Sequence, residues 1–155
     1  MVWRKVGAAL AGLVLLAVPA TAADYISFSK DKVFLRQGPS FDHRILWVYH
    51  RKGLPVEVVN KYAAWRRVKD SDGTLGWVHT SMLSDNRTVV FVSSTPSTIR
   101  TDPSDAAKPI ALAAQGVVAK LKSCKPQFCQ VEVQGIEGWA DKKNIWGVDA
   151  GESFR

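Results

Sequence analysis

Two cysteines and three histidines are the residues of this chain with the widest chemical reach. A catalytic cysteine must be an activated thiolate with a base nearby. Cys124 and Cys129 have only Lys125 to Phe128 between them, which suits two strands facing each other across a hairpin loop. Directly opposed residues there have Cα atoms about 4.5 to 5.5 Å apart, a span a disulfide tolerates. In an oxidising compartment the pair closes by default, so a Cys124–Cys129 disulfide is expected and no nucleophile is left. His43, His50 and His79 are separated by strands and turns without paired ligand spacing, so no metal site is expected. Asp70-Ser71-Asp72-Gly73 opens like a calcium loop but lacks the later ligands and reads as a hairpin turn. No nucleophile elbow or glycine-rich phosphate cradle is present. The expectation is a non-enzyme without cofactor or metal.

Recognition chemistry is better represented. Trp47, Tyr49, Tyr62 and Trp65 are more aromatics than the interior of one small β unit can hold. Some of them are expected to line a groove, as aromatic faces do in ligand recognition; packing between neighbouring units is the open alternative. From Arg36 to Lys69 there are eight basic residues, Arg51 and Arg66 among them, against Asp42 and Glu57. That excess reads either as a solvated strand face or as a surface for an anionic ligand. The candidate ligand-binding set is therefore Trp47, Tyr49, Arg51, Tyr62, Trp65 and Arg66.

The elements that must position these residues follow a leader. Arg4 and Lys5 precede an apolar run from Val6 to Val18, Pro19 breaks it, and Ala20-Thr21-Ala22 follows. This is the pattern of a secretory signal over residues 1–22, cleaved after Ala22 or Ala23 and too short for a bilayer span of roughly 20 residues; an uncleaved N-terminal anchor is the alternative. Without Arg4 and Lys5, 19 basic residues face 14 acidic ones, a net charge of +5. An exported, periplasmic or secreted chain with that charge meets wall polymers, lipid headgroups or acidic proteins rather than nucleic acid. Stable membrane insertion after cleavage is not expected, and the oligomeric state is left open.

Past the leader, short β-rich runs alternate with turn residues, the mark of a sandwich or small barrel. The order then repeats. Leu35-Arg36 with Pro39-Ser40 matches Ile99-Arg100 with Pro103-Ser104, Gly53 matches Gly116, Trp65 and Val68 match Phe128 and Val131, and Gly76-Trp77 matches Gly138-Trp139. Such internal repetition means duplicated small units, here residues 24–85 and 88–149. The Ala-rich stretch 106–115 has a helical look, but the repeat predicts a strand there. Gly76 and Gly138 let backbone pass closely, and the tryptophans after them are expected to fill the interiors.

The series Leu35-Arg36, Gly38-Pro39-Ser40, Lys52-Gly53, Trp65-x-x-Val68 and Asp72-Gly73-x-x-Gly76-Trp77-Val78 resembles the bacterial SH3-like domain family. Trp47 to Val58, the Cys129-x-Val131-x-Val133 run and the ending Ile145-Trp146-Gly147-Val148 are similar to its exported tandem members. The resemblance implies an all-β fold of two tandem SH3-like small β-barrels. It also implies a non-enzymatic binding or scaffold protein of the cell envelope, with peptidoglycan or a periplasmic, wall-associated protein as partner. The alternative it leaves open is a structural or assembly subunit, or a targeting partner of a separately encoded wall hydrolase. Asp102 and Phe128 replace Gly38 and Trp65 in the second copy, so copy one is the expected binding unit.

Overall fold

A computed structural model describes residues 22–155; of the expected leader only Ala22 falls within them. The β-branched and aromatic runs of the first copy form β1 (Asp24–Phe28), β2 (Val33–Arg36), β3 (Ile45–Tyr49), β4 (Pro55–Tyr62), β5 (Trp65–Lys69), β6 (Leu75–His79) and β7 (Leu83–Ser84). The second copy forms β8 (Thr88–Phe91), β9 (Ser97–Arg100), β10 (Pro109–Ala113), β11 (Val118–Cys124), β12 (Phe128–Val133), β13 (Ile136–Asp141) and β14 (Ile145–Trp146). The Ala-rich stretch thus carries strand β10. One sheet runs β3-β2-β6-β5-β4-β1-β7 and the other β10-β9-β13-β12-β11-β8-β14, the same order shifted by seven strands.

Each sheet curls round its own core. Phe28, Val33, Leu35, Tyr49, Val56, Val68 and Val78, one or two from each of β1 to β6, meet in the first. Phe91, Ile99, Ala113, Leu121, Val131, Ala140 and their neighbours do so in the second. A sheet whose long strands all point into one cluster curls into a partly open barrel, and here the first and last strands of each order stay unpaired with each other. The protein is all-β, with two tandem units of one topology, as the resemblance implies.

The repetition extends to single backbone bonds. Gly53 N donates to Phe28 O at 2.8 Å and Phe28 N to Leu54 O at 3.1 Å; Gly116 N donates to Phe91 O at 2.7 Å and Phe91 N to Val117 O at 2.9 Å. Both glycines sit at left-handed φ, 80° and 84°, where a side chain would be strained. Arg36 Nη1 donates to the carbonyls of Phe41 and His43 at 3.0 and 2.9 Å, and Arg100 Nη1 to that of Ala107 at 3.0 Å. These arginines clasp loops, the turn role their flanking positions suggest.

One expectation is corrected. Trp77 and Trp139 are half-buried and do not fill the interiors; Gly76 with Val78, and Gly138 with Ala140, face inward instead. Side chains alternate along a strand, so a tryptophan between two inward residues must point out. The interior space goes to Leu35 and Ile99, whose atoms lie 2.4 and 2.6 Å from where a Cβ on Gly76 or Gly138 would stand.

The second unit carries two further ties. Cys124 and Cys129 pair across β11 and β12 and form the disulfide, with Cα atoms 4.1 Å apart. Past Asp149 the chain folds back, so that Cys124 N donates to Phe154 O at 2.9 Å and Phe154 N to Cys124 O at 3.0 Å.

Candidate ligand cleft between the two barrels

The two units meet where the starts of β4 and β8 approach. Thr88 Oγ1 donates to Gly53 O at 2.7 Å across this junction. Beside it opens a cleft of about 770 Å³, walled by the end of β3 and the β5–β6 turn on one side and by Val90 to Val92 with Gln115-Gly116 on the other.

The first wall is built by Asp70. Its Oδ1 accepts the amides of Asp72 and Thr74 at 3.0 and 2.8 Å, and its Oδ2 accepts the Tyr49 hydroxyl at 2.7 Å. An aspartate that bonds the backbone ahead of it shapes the turn, and Gly73 completes it at φ 86°. Burial, then the bond to Asp70, pushes the Tyr49 phenol far above its ordinary range, so it remains a donor at any working pH. Asp70 is buried and committed; Asp72 stands exposed at the rim.

Trp47 presents its indole to solvent at 59% exposure. Arg51 reaches across the junction, its Nη1 3.8 Å from the place a Cβ on Gly116 would take. Among the described residues Arg51 makes no hydrogen bond or ion pair. The opposite wall is apolar, with Val90 and Phe91 buried and Val92 at its lip. Gln115 Nε2 caps that wall on Val92 O at 3.3 Å. The cleft therefore offers an aromatic face, one cation, one carboxylate and an apolar wall. That set suits an extended peptide-like ligand bearing both charges.

A second groove at the junction, about 960 Å³, is larger and richer in lysine. Its charges are mostly spent. Lys120 and Lys122 pair with Glu132 at 3.1 and 2.8 Å, and Arg87 pairs with Glu152 at 2.9 Å. Capacity for a ligand follows free groups rather than volume, and the smaller cleft has them.

The structure divides the six candidate residues. Trp47, Tyr49 and Arg51 come together at the cleft, with Tyr49 in the core beneath it. Tyr62, Trp65 and Arg66 lie on the β4–β5 hairpin, away from it. Trp65 is buried, edge-on to Phe41 and His79 with ring centroids 4.9 and 5.1 Å away. Arg66 Nη1 bonds the carbonyls of Ala63 and Trp65 at 3.1 and 3.0 Å, while Tyr62 is exposed. Phe41 and the cleft side of Asp70 escaped the reading of the sequence. Phe41 follows a turn and belongs to no alternating run; Asp70 was legible as a turn former only.

A family model described as the bacterial SH3 domain matches residues 29–85 and again residues 93–147. The chain belongs to the bacterial SH3 domain family. Solved structures similar to it include NlpC2 and NlpC1 from Trichomonas vaginalis, at 13% and 12% identity and TM-scores of 0.37 and 0.38. The matches cover 80% and 88% of this chain but 48% and 50% of those chains, so it spans about half their length. No curated protein matches it. The two bacterial SH3 repeats differ where the family motif differs. His79, edge-on to Trp65 in the first, is replaced by Asp141 beside Phe128 in the second, and Asp141 pairs with Lys143 at 2.9 Å.

Proposed function

We propose that this protein is a non-enzymatic binding module exported to the cell envelope, whose inter-repeat cleft takes a peptide segment of peptidoglycan or of a wall-associated protein. The observation that carries the reading is the exposed indole of Trp47 beside uncommitted Arg51 and Asp72. Stacking on an indole is a usual anchor of recognition, and a central Trp or Arg often dominates binding energy. A ligand carboxylate fits Arg51 and a ligand ammonium fits Asp72, so charges at both ends fix its direction. Support for a role without catalysis comes from the cysteines, which are joined in a disulfide and so offer no thiolate.

Co-sedimentation of the mature protein with purified sacculi tests this. Wild type is expected to pellet at low salt, and Trp47→Ala to bind about tenfold more weakly, a loss of about 1.4 kcal/mol. Equal retention of the two proteins places the ligand elsewhere, and no retention of either removes the wall ligand.

A second reading, an assembly subunit or targeting partner of a wall hydrolase, is favoured by the outer strands. β3 and β10 are free edges of their sheets and expose Ile45, Leu46, Ile110 and Leu112. Such edges are templates for strand pairing.

A further inference from the structure

The two ends of the described chain meet at the repeat junction. Ala23 N donates to Asp149 Oδ2 at 2.9 Å in a part-buried contact. Asp149 N donates in turn to Glu152 Oε2 at 3.1 Å. Glu152 receives both ends of the Arg87 guanidinium, Nη1 to Oε1 at 2.9 Å and Nη2 to Oε2 at 3.1 Å. Arg87 Nη2 also reaches Gly147 O at 3.0 Å. Its guanidinium carbon lies 5.6 Å from the Tyr25 ring centroid, and Tyr25 stands edge-on to Trp146 at 5.2 Å. The cluster thus ties β1, the linker between repeats and the returning tail into one knot.

The charges of this knot are unequally matched. Arg87 is held bidentately by Glu152. Burial pushes the Glu152 carboxyl up, but the bonds from Arg87 and the Asp149 amide outweigh it and hold it below the usual carboxylate range. Lys142 Nζ is spent on the main-chain carbonyls of Ala150 and Glu152. The Asp149 carboxylate has no cationic side chain paired with it among the described residues; its partner is the nitrogen of Ala23. That nitrogen follows Ala20-Thr21-Ala22, the Ala-x-Ala pattern of signal cleavage.

We propose that the leader is removed between Ala22 and Ala23 and that the ammonium so created pairs with Asp149, so that maturation supplies the missing cation of the junction. The step is a hydrolysis: water gives its oxygen to the Ala22 carbonyl, the peptide bond breaks, and protons pass to the Ala23 nitrogen. An α-amino group has an ordinary pKa of about 7.7 to 8.0, so it is largely charged at neutral pH. The bond Ala23 already makes as an amide then becomes charge-assisted, roughly twice as strong as a neutral one. Cleavage one residue later would leave Asp24 N as the terminus, displaced along the chain by about 3.3 to 3.6 Å and out of reach of Asp149. The inference rests on the export reading of residues 1–22.

The test has two arms. In the first, the full-length chain is expressed in a secreting bacterial host and the mass and N-terminal residue of the envelope form are read. A start at Ala23 is expected. A start elsewhere leaves export standing and overturns the ammonium pair, whereas a chain that retains residues 1–22 overturns the export reading itself. In the second arm, chains beginning at Ala23 are compared with chains carrying Gly-Ser ahead of it, each with and without Asp149→Asn. The substitution is expected to lower Tm by about 3 °C more in the Ala23-start protein than in the extended one. Equal losses in the two backgrounds overturn the proposal, and because the same variant is used in both, a general folding defect cancels.

Discussion

Replacing Tyr49 by Phe removes one oxygen and keeps the ring that packs at 5.0 Å from Phe28. The lost bond is the 2.7 Å contact from the hydroxyl to Asp70 Oδ2. Asp70 is 8% exposed, so its buried oxygens need the partners they have, and the two amides on Oδ1 do not replace the hydroxyl on Oδ2. A hydrogen bond to a charged group contributes about 1.5 to 3 kcal/mol, and access of water from the cleft argues for a value of about 2 kcal/mol. In a protein of this size that corresponds to a Tm fall of about 7 °C. Differential scanning calorimetry at neutral pH reads it directly. Tyr62→Phe is the control: Tyr62 is 62% exposed and its hydroxyl bonds no other group among the described residues, so its variant should melt within about 1 °C of wild type. Because Asp70 also shapes the cleft wall, Tyr49→Phe should weaken ligand retention while Tyr62→Phe does not. A Tyr49→Phe protein that melts with wild type would show that Asp70 holds the turn through its amide bonds alone, and the reasoning would fail.

Two further outcomes follow from the packing. Gly138→Ala places a Cβ 2.6 Å from Ile99 Cγ2 and 2.8 Å from the Arg100 carbonyl oxygen; overpacking of this kind costs about 1 to 3 kcal/mol, and an unchanged urea midpoint would contradict it. Joint replacement of Cys124 and Cys129 by Ala opens a short loop, sequence separation 5. The chain-entropy model puts the loss at about 2 kcal/mol, which chemical denaturation measures, and no loss would show that the register and the Phe154 pairing suffice.

The repeat was legible because its landmarks answer local demands. Gly53 and Gly116 recur since both turns need left-handed φ, and Leu35 and Ile99 recur since each fills the space its partner glycine leaves open. The disulfide was legible because five positions of separation match an antiparallel ladder. Trp77 and Trp139 were misread for a physical reason: bulk suggests a core, whereas strand parity had already assigned the inward places to Gly76, Val78, Gly138 and Ala140.

The candidate site was legible only in part. Trp47, Tyr49 and Arg51 were picked out as an aromatic and basic group, but nothing local separates them from Tyr62, Trp65 and Arg66. Their separation depends on where β3 and the β4–β5 hairpin end up once the sheet curls round its core. The second wall, from Val90 to Gly116, lies in the other repeat.

Composition, turn residues and repeated motifs therefore determined by themselves that this chain is one small β unit run twice with one pinned hairpin, and the resemblance carried by its motifs implied barrels of the bacterial SH3 type. These are properties of segments, and each is set by contacts between residues near in sequence or equivalent by duplication. Only the tertiary structure decided that Trp47 stays open to solvent while Tyr49 is spent on Asp70, that Arg51 crosses to the second repeat, and that Ala23 meets Asp149. Those facts join residues as many as 126 positions apart, and chain closure over such distances is written in the packing of two barrels against each other.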